Sequence, residues 1–170
     1  MTVRNEIYVG VMSGTSLDAV DTVLVQFSEH PSHTAELLAT REHPFPSQLQ
    51  AELQAVIEAP DKVGLDKLGT LDRQLGMLYA EAVNKLLNQA DIDRRQIAAI
   101  GNHGQTIRHS PDTQPAFTLQ IGDAATIAAE CGIPTVGQFR NADIALGGQG
   151  APLVPAFHEW AFSDPVKTSI

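Results

Sequence analysis

Two runs rich in β-branched and apolar residues, Ile7 to Met12 and Val20 to Phe27, are separated only by the short polar stretch that begins Ser13-Gly14-Thr15-Ser16. A connection this short returns the chain antiparallel beside itself, so the protein is expected to open on a β-hairpin. A third strand is expected over His33 to His43, although LLATREH fits a helix as well, and Pro44 and Pro46 end it.

From Ser47 the period changes. Leu49, Leu53, Val56 and Ile57 recur at helical spacing behind Ser47, the expected N-cap, and Ala59-Pro60 stops the run. Leu65, Leu68, Leu71, Leu75, Leu78, Ala82 and Leu86 then step by three and four, with Asp66 near the start, which predicts a long helix whose leucine stripe is core. Ile97 to Ile100 reads as a buried strand running into a polar loop, Asn102 to Thr106. FTLQIG from Phe117 reads as the next strand, GDAATIAAECG as a short helix capped by Asp123 and closed by Gly132, and IPTVGQF as a further strand. Val154 to Phe162 reads as a helix behind a Gly-rich loop, and VKTSI as the opening of another strand, which reads as a piece of a longer protein. A hairpin start followed by βα alternation predicts an α/β domain with a mixed five- to six-stranded sheet flanked by helices.

Of the 170 residues, 43% are hydrophobic and 18% charged, with a formal net charge of −9. That is the make-up of one globular domain, and its negative field opposes nucleic acid and anionic membranes, so neither is an expected partner. No basic leader precedes an apolar core, and no apolar window approaches about 18 residues, which makes the cytoplasm the expected compartment. Cys131, the single cysteine, is expected to be a small buried apolar residue. Composition leaves the oligomeric state open, a homodimer included.

Polar and special residues gather at strand ends: Ser13 to Ser16, Asn102 to Thr106, Gln120 to Asp123 and Gln138 to Asp143. In open α/β sheets ligands bind outside the C-terminal strand ends, so these loops are expected around one pocket. In SGTSLDAVD, backbone N–H groups and the hydroxyls of Ser13, Thr15 and Ser16 can cradle phosphate oxygens, while Asp18 or Asp21 can hold Mg²⁺ through water. On spacing alone a plain polar turn explains that stretch better, and neither GxxxxGK[ST] nor GxGxxG occurs. His103 is a candidate general base or donor to a sugar, with a structural turn histidine equally open. His103, His109 and His158 lack the spacing of a zinc site, and no structural metal is expected. Between Gln96 and Val166 the only cationic side chains are Arg108 and Arg140, so Arg140 is the favoured partner of an anionic ligand. An ion pair between Arg140 and Asp143 that braces the loop is the alternative. Asp123 is accounted for by its cap, with a ligand role open beside Gln120.

GVMSGTSLDAVD, GNHGQTIRHSP, TLQIGDAATIA and VGQFRNADIALGGQGAPLVPAFH, in that order along nearly the whole chain, resemble the N-terminal half of the anhydro-N-acetylmuramic acid kinases of bacterial cell-wall recycling. The resemblance implies one ribonuclease-H-like α/β domain, of the sugar kinase, Hsp70 and actin type, from a two-domain enzyme with nucleotide in the cleft; the second domain lies outside this chain. It implies use of ATP and Mg²⁺ to phosphorylate the 6-hydroxyl of the amino sugar 1,6-anhydro-N-acetylmuramic acid while water opens the ring, giving N-acetylmuramic acid 6-phosphate. The family's ATP-binding segment falls on Gly14, Thr15, Ser16, Leu17, Asp18, Ala19, Val20 and Asp21, with Ala19 where glycine is common and Asp18 as the water-mediated Mg²⁺ ligand. His103, Gln105, Gln120, Asp123, Arg140 and Asp143 would line the sugar side, Arg140 meeting the lactyl carboxylate. The family's base belongs to a DTGPGN-like motif that is not found here and is expected downstream of Ile170, so the 170-residue chain alone is expected to be inactive. Another sugar kinase of the superfamily, a polyphosphate hydrolase and a catalytically silent ATP-binding module are the alternatives.

Overall fold

The computed structural model describes residues 5–28 and 35–162. β1 (Asn5–Ser13) and β2 (Ala19–Ser28) form the expected antiparallel hairpin, closing with Ser13 opposite Val20, and β3 (Ala35–Pro44) runs antiparallel along β2. α1 (Ser47–Glu58) and α2 (Leu65–Ala90) follow, then β4 (Ile97–Asn102), which lies parallel to β1. β5 (Gln105–Ser110) and β6 (Phe117–Ile121) make a separate antiparallel pair. α3 (Ala124–Cys131), β7 (Thr135–Val136), α4 (Phe139–Ala145) and α5 (Pro155–Phe162) complete the described chain. The main sheet is five-stranded in the order β3-β2-β1-β4-β7, with β7 parallel to β4. Because β1, β4 and β7 are mutually parallel, their C-terminal ends open at one end of the sheet.

The core explains why these segments take these forms. On β2 the buried residues Val20, Thr22 and Leu24 alternate with more exposed ones, the period of a strand with one face inward. α2, 26 residues and therefore about 39 Å long, packs against β1, β2 and β3 with Leu71, Leu75, Leu78, Ala82 and Leu86 buried. Each fully buried leucine of that stripe contributes about 1.5–3 kcal/mol relative to exposure. Gly76 lets α3 come close: a Cβ there would stand 2.9 Å from Asp123 O and 3.0 Å from Thr126 Cβ. Asp123 caps α3 by accepting from the backbone N–H groups of Ala125 and Thr126, and Gly132 closes it at φ +67°, both as expected. Cys131 is wholly buried as expected, and burial pushes its thiol up to about 11.

Several local expectations are corrected. Ser47 is the first helical residue of α1; Pro46, fixed near φ −60° in extended backbone, occupies the cap position. Leu65, read as core, is 85% exposed at the first turn of α2. The expected loop Asn102 to Thr106 reverses within His103 and Gly104, the latter at φ +73°, and Gln105 already begins β5. The inward positions of β5 include the polar Gln105, so a hydrophobic pattern cannot reveal the strand. β6 pairs with β5 and does not join the main sheet. IPTVGQF supplies only a two-residue strand, and Gln138 to Asp143 is no loop: Gln138, in left-handed backbone at φ +62°, turns the chain directly into α4. Residues 33–34 of the expected third strand and the VKTSI segment lie outside the described residues.

Candidate functional site

Three of the four strand-end segments line one cavity of about 540 Å³. Asn102, His103 and Gly104 come from the end of β4, Gln120 to Ala124 from the end of β6 and start of α3, and Gly137 with Gln138 from the end of β7. The first turns of α2 close it with Leu65, Leu68, Gly69 and Asp72. Its walls are tied by backbone bonds. Gly122 N donates to Asp72 Oδ1 at 2.6 Å, Asp123 N to Asp72 O at 3.1 Å, Asn102 Nδ2 to Gly122 O at 2.7 Å, and Gly104 N to Asn102 Oδ1 at 3.0 Å. Gly122, at φ +118°, lies against the ring of Tyr79.

Of the expected sugar-side residues, His103, Gln120 and Asp123 line this cavity. Asp123 Oδ2 takes the Thr126 hydroxyl as well as its N–H, and this hydroxyl bond first, with the capping bonds and Arg73 adding to it, holds the carboxyl below the usual range. Gln120 is buried, donating to Thr118 Oγ1 at 2.7 Å and Thr106 Oγ1 at 3.2 Å. Gln105 is fully buried beneath the wall and does not line the cavity. Arg140 and Asp143 stand one layer behind, on α4, and they do not pair with each other among the described residues. Arg140 Nη1 donates to Gly150 O at 2.7 Å, and Gly150 N donates to Asp143 Oδ2 at 2.7 Å, so the two charges clasp one glycine of the loop between α4 and α5. Arg140 Nε donates to His103 Nε2 at 3.0 Å, while His103 Nδ1 meets Gly104 O at 2.7 Å. Together these bonds place the ring proton on Nδ1 and the lone pair on Nε2. Burial, then the Arg140 charge, holds His103 below the ordinary imidazole range, with the Gly104 bond opposing.

The fourth segment does not line the cavity. The turn after β1 is closed by Leu17 N donating to Gly14 O at 3.2 Å, with Thr15, Ser16, Asp18 and Asp21 exposed. Leu17 holds φ +56°, costly for a non-glycine residue, by on the order of 1–3 kcal/mol. Its buried side chain and the Gln50 Nε2 bond to its carbonyl, 2.9 Å, fix it there. Val20 is also core, so it and Leu17 can serve a ligand only through backbone. Ala19 opens β2 and is not in positive-φ backbone, so alanine fits there without strain. Ser13 points inward: its hydroxyl donates to Gln105 Oε1 at 2.6 Å and lies 2.5 Å from Tyr79 OH.

A larger groove, about 660 Å³, runs between α1 and α2 around Leu49, Met77 and Leu78. Of its charged residues, Lys85 pairs with Glu81 at 2.6 Å and Glu52 with Lys67 at 2.5 Å, and none of the cavity-lining residues at the ends of β4, β6 and β7 lines it. Among the described residues no cluster of three or more His, Cys, Asp or Glu is arranged to hold a metal, and no helix is long and apolar enough to cross a membrane.

Sequence reasoning missed Asp72, Tyr79 and Gly150. The first two were within reach: Leu65, Leu68, Asp72, Gly76 and Tyr79 step by three and four along α2, a second face beside the leucine stripe whose small and polar members mark a close approach.

A buried and a half-buried histidine give this architecture a pH dependence. His43 is held below 6.5, mainly by burial and then by Lys85, and His103 likewise by burial and Arg140. A depressed folded pKa means the unfolded chain binds the proton more readily, so stability is full above about 6.5 and falls as pH drops below it. The urea midpoint is expected to fall between pH 7.5 and 5.5, and His103→Gln to flatten that dependence. An unchanged slope in the variant would remove His103 from the account.

The sheet order, the opening hairpin and the cavity at the parallel strand ends define an α/β domain of the ribonuclease-H type shared by sugar kinases, Hsp70 and actin. The sequence model for "Anhydro-N-acetylmuramic acid kinase" matches residues 6–170. Relatives of that name include those of Shewanella pealeana, 52% identical over 163 residues, and Xanthomonas axonopodis pv. citri, 49% over 156. The alignments cover 95% and 92% of this chain but 43% and 42% of those relatives, so the chain spans less than half their length. The chain belongs to the anhydro-N-acetylmuramic acid kinase family.

Proposed function

We propose that this chain forms one wall of an ATP-dependent kinase that opens the ring of 1,6-anhydro-N-acetylmuramic acid and phosphorylates its 6-hydroxyl. The observation that carries the reading is the convergence of the β4, β6 and β7 ends on one cavity, with Thr15, Ser16, Asp18 and Asp21 exposed in the turn after β1. The cavity is the sugar side, and the Arg140 guanidinium, one layer behind His103, is the cation for the lactyl carboxylate. The Gly14 to Asp21 turn faces the nucleotide. A Cβ at Gly14 would meet only Ser16 Oγ at 3.6 Å, so nothing inside the fold demands glycine there; its smallness suits the close approach of a phosphate. Asp18, exposed and without a hydrogen bond or ion pair among the described residues, fits a hydrated Mg²⁺ held through water, which would neutralise charge on the transferring phosphoryl group.

We place the base outside residues 1–170. Asp72 and Asp123 are engaged by backbone N–H groups, and the His103 Nε2 lone pair is occupied by Arg140. Asp123 spends both oxygens on its cap and His103 has no free lone pair, so neither takes a proton from water; Asp72 spends only Oδ1, on Gly122 N, and the base is placed downstream on the family resemblance. Residues 1–170 alone are therefore expected to be inactive. The test is ADP release by the full-length protein with Mg·ATP and a panel of acceptors. 1,6-Anhydro-N-acetylmuramic acid should be turned over and converted to a 6-phosphate, well ahead of simple hexoses and of polyphosphate hydrolysis. Preference for another acceptor, or turnover by residues 1–170 alone, would overturn the respective part.

A further inference from the structure

Gln105 is fully buried, at 0% exposure, yet among the described residues only half of its amide is used. Oε1 accepts from Ser13 Oγ at 2.6 Å, while Nε2 has no partner among the described residues. A serine has one proton, and this one goes to Gln105, so the 2.5 Å contact is Tyr79 O–H donating to Ser13 Oγ. The result is a three-member relay, Tyr79 to Ser13 to Gln105, wholly buried where α2, β1 and β5 meet. Each member touches something else. Ser13 immediately precedes the Gly14 turn; the Tyr79 ring packs on Gly122 of the cavity wall; Gln105 heads the hairpin partner of β6, opposite Ile121.

A residue kept for packing alone would have no reason to carry an amide with one end unpaired, since an apolar side chain of the same shape avoids that desolvation cost. We propose that Gln105 is a positioning residue for the nucleotide side: through Ser13 it fixes the Gly14 to Ser16 turn relative to the sugar cavity, so that the two halves of the reaction are held in register. This rests on the reading of that turn as the phosphate site. Gln105 touches neither ligand and acts only through the Ser13 hydroxyl.

The two roles separate experimentally. Gln105→Met fills the same volume, removes the unpaired Nε2 and strands one hydroxyl proton in exchange, so the folded state gains and loses similar groups. In the full-length protein, calorimetric titration with the ATP analogue AMP-PNP and Mg²⁺ should show Gln105→Met weakening binding about tenfold, with the unfolding temperature within about 3 °C of the parent. Ser13→Ala should weaken it similarly, and the double variant no further than either single one, because both break the same link. Tyr79→Phe, which keeps the ring on Gly122 and the Ser13–Gln105 bond, should weaken binding about threefold at most, and Ser13→Ala carries the test if Gln105→Met does not fold. Unchanged affinity in Gln105→Met, or effects of Ser13→Ala and Gln105→Met that simply add, would overturn the proposal. The combined Thr15→Ala and Ser16→Ala variant distinguishes the two levels. If it binds AMP-PNP as the parent does, the phosphate reading of the turn fails and this inference with it. If it binds weakly while Gln105→Met binds normally, the turn reading stands and the positioning role alone is lost.

Discussion

Gly122→Ala is expected to lower the unfolding temperature of the protein by about 10 °C. Two costs coincide. The backbone sits at φ +118°, which an L side chain adopts only with strain of about 1–3 kcal/mol, and the new Cβ would stand 2.7 Å from Tyr79 Cε2 and 3.2 Å from Cδ2. Tyr79 has nowhere to retreat: it is wholly buried, and its hydroxyl is held by Ser13. Overpacking of that kind adds about 1–3 kcal/mol, and a domain of this size loses about 2–4 °C per kcal/mol. The backbone cannot slide either, since Gly122 N is bound by Asp72 and Gly122 O by Asn102. Gly147→Ala is the control: it also has positive φ, +91°, but nothing lies within 4 Å of its Cβ, so only the strain applies and about 1–3 kcal/mol should be lost. Thermal unfolding of the two variants side by side decides the matter. Equal losses would mean that the contact with Tyr79 costs nothing.

Arg140→Met is expected to cost the full-length protein about a hundredfold in affinity for 1,6-anhydro-N-acetylmuramic acid. The side chain makes two bonds from its charged group, to His103 Nε2 and to Gly150 O, and bonds from charged donors contribute about 1.5–3 kcal/mol each. Without it the His103 ring loses its orientation at the cavity wall, and the loop from Leu146 to Val154 keeps only the Asp143 half of its clasp. Hydrogen exchange in residues 146–151 should therefore quicken in the same variant. The carboxylate reading adds a sharper expectation. A 1,6-anhydro amino sugar without the lactyl group should be bound nearly as well by the variant as by the parent once the loop effect is matched by Asp143→Ala. Should both sugars lose equally, Arg140 braces the loop and meets no carboxylate. Arg140→Lys should recover little, because an ammonium cannot reach His103 and Gly150 together as the planar fork does.

How far the sequence alone reaches can be judged from these same residues. The opening hairpin, the leucine stripe of α2 and the cap and stop of α3 were legible because local chemistry and tertiary demand agree there: β-branched runs, a 3.6-residue period, an Asx cap and a glycine in left-handed backbone. β5 was illegible because its inward residue is Gln105, buried by hydrogen bonds that no hydropathy pattern records. α4 was hidden behind Gln138, a non-glycine residue at φ +62° that no turn rule predicts. At the site, the loops that converge could be named from their composition and from the family resemblance. What each side chain does there could not. Gln105 turned out to lie beneath the wall, and Arg140 and Asp143 to meet at Gly150 rather than at each other, because partners 37, 92 or 10 residues apart are set only by the fold.

The length of α2 carries a last consequence, for which changes in chain length this domain tolerates. Its first turns line the cavity with Leu65, Leu68 and Asp72; the middle sets Gly76 against α3 and Tyr79 against Gly122; the last turns bring Gln89 to Arg41 and to the Thr40 carbonyl of β3. One rod therefore indexes cavity, α3 and the far strand of the sheet together. Adding or deleting a single residue inside it would rotate everything beyond by about 100° and shift it by about 1.5 Å, turning Tyr79 away from Ser13 while Asp72 stayed in place. Insertions have room in the exposed stretch from Leu146 to Gln149, but the span from Asp72 to Gln89 is a fixed ruler whose graduations are read on both sides.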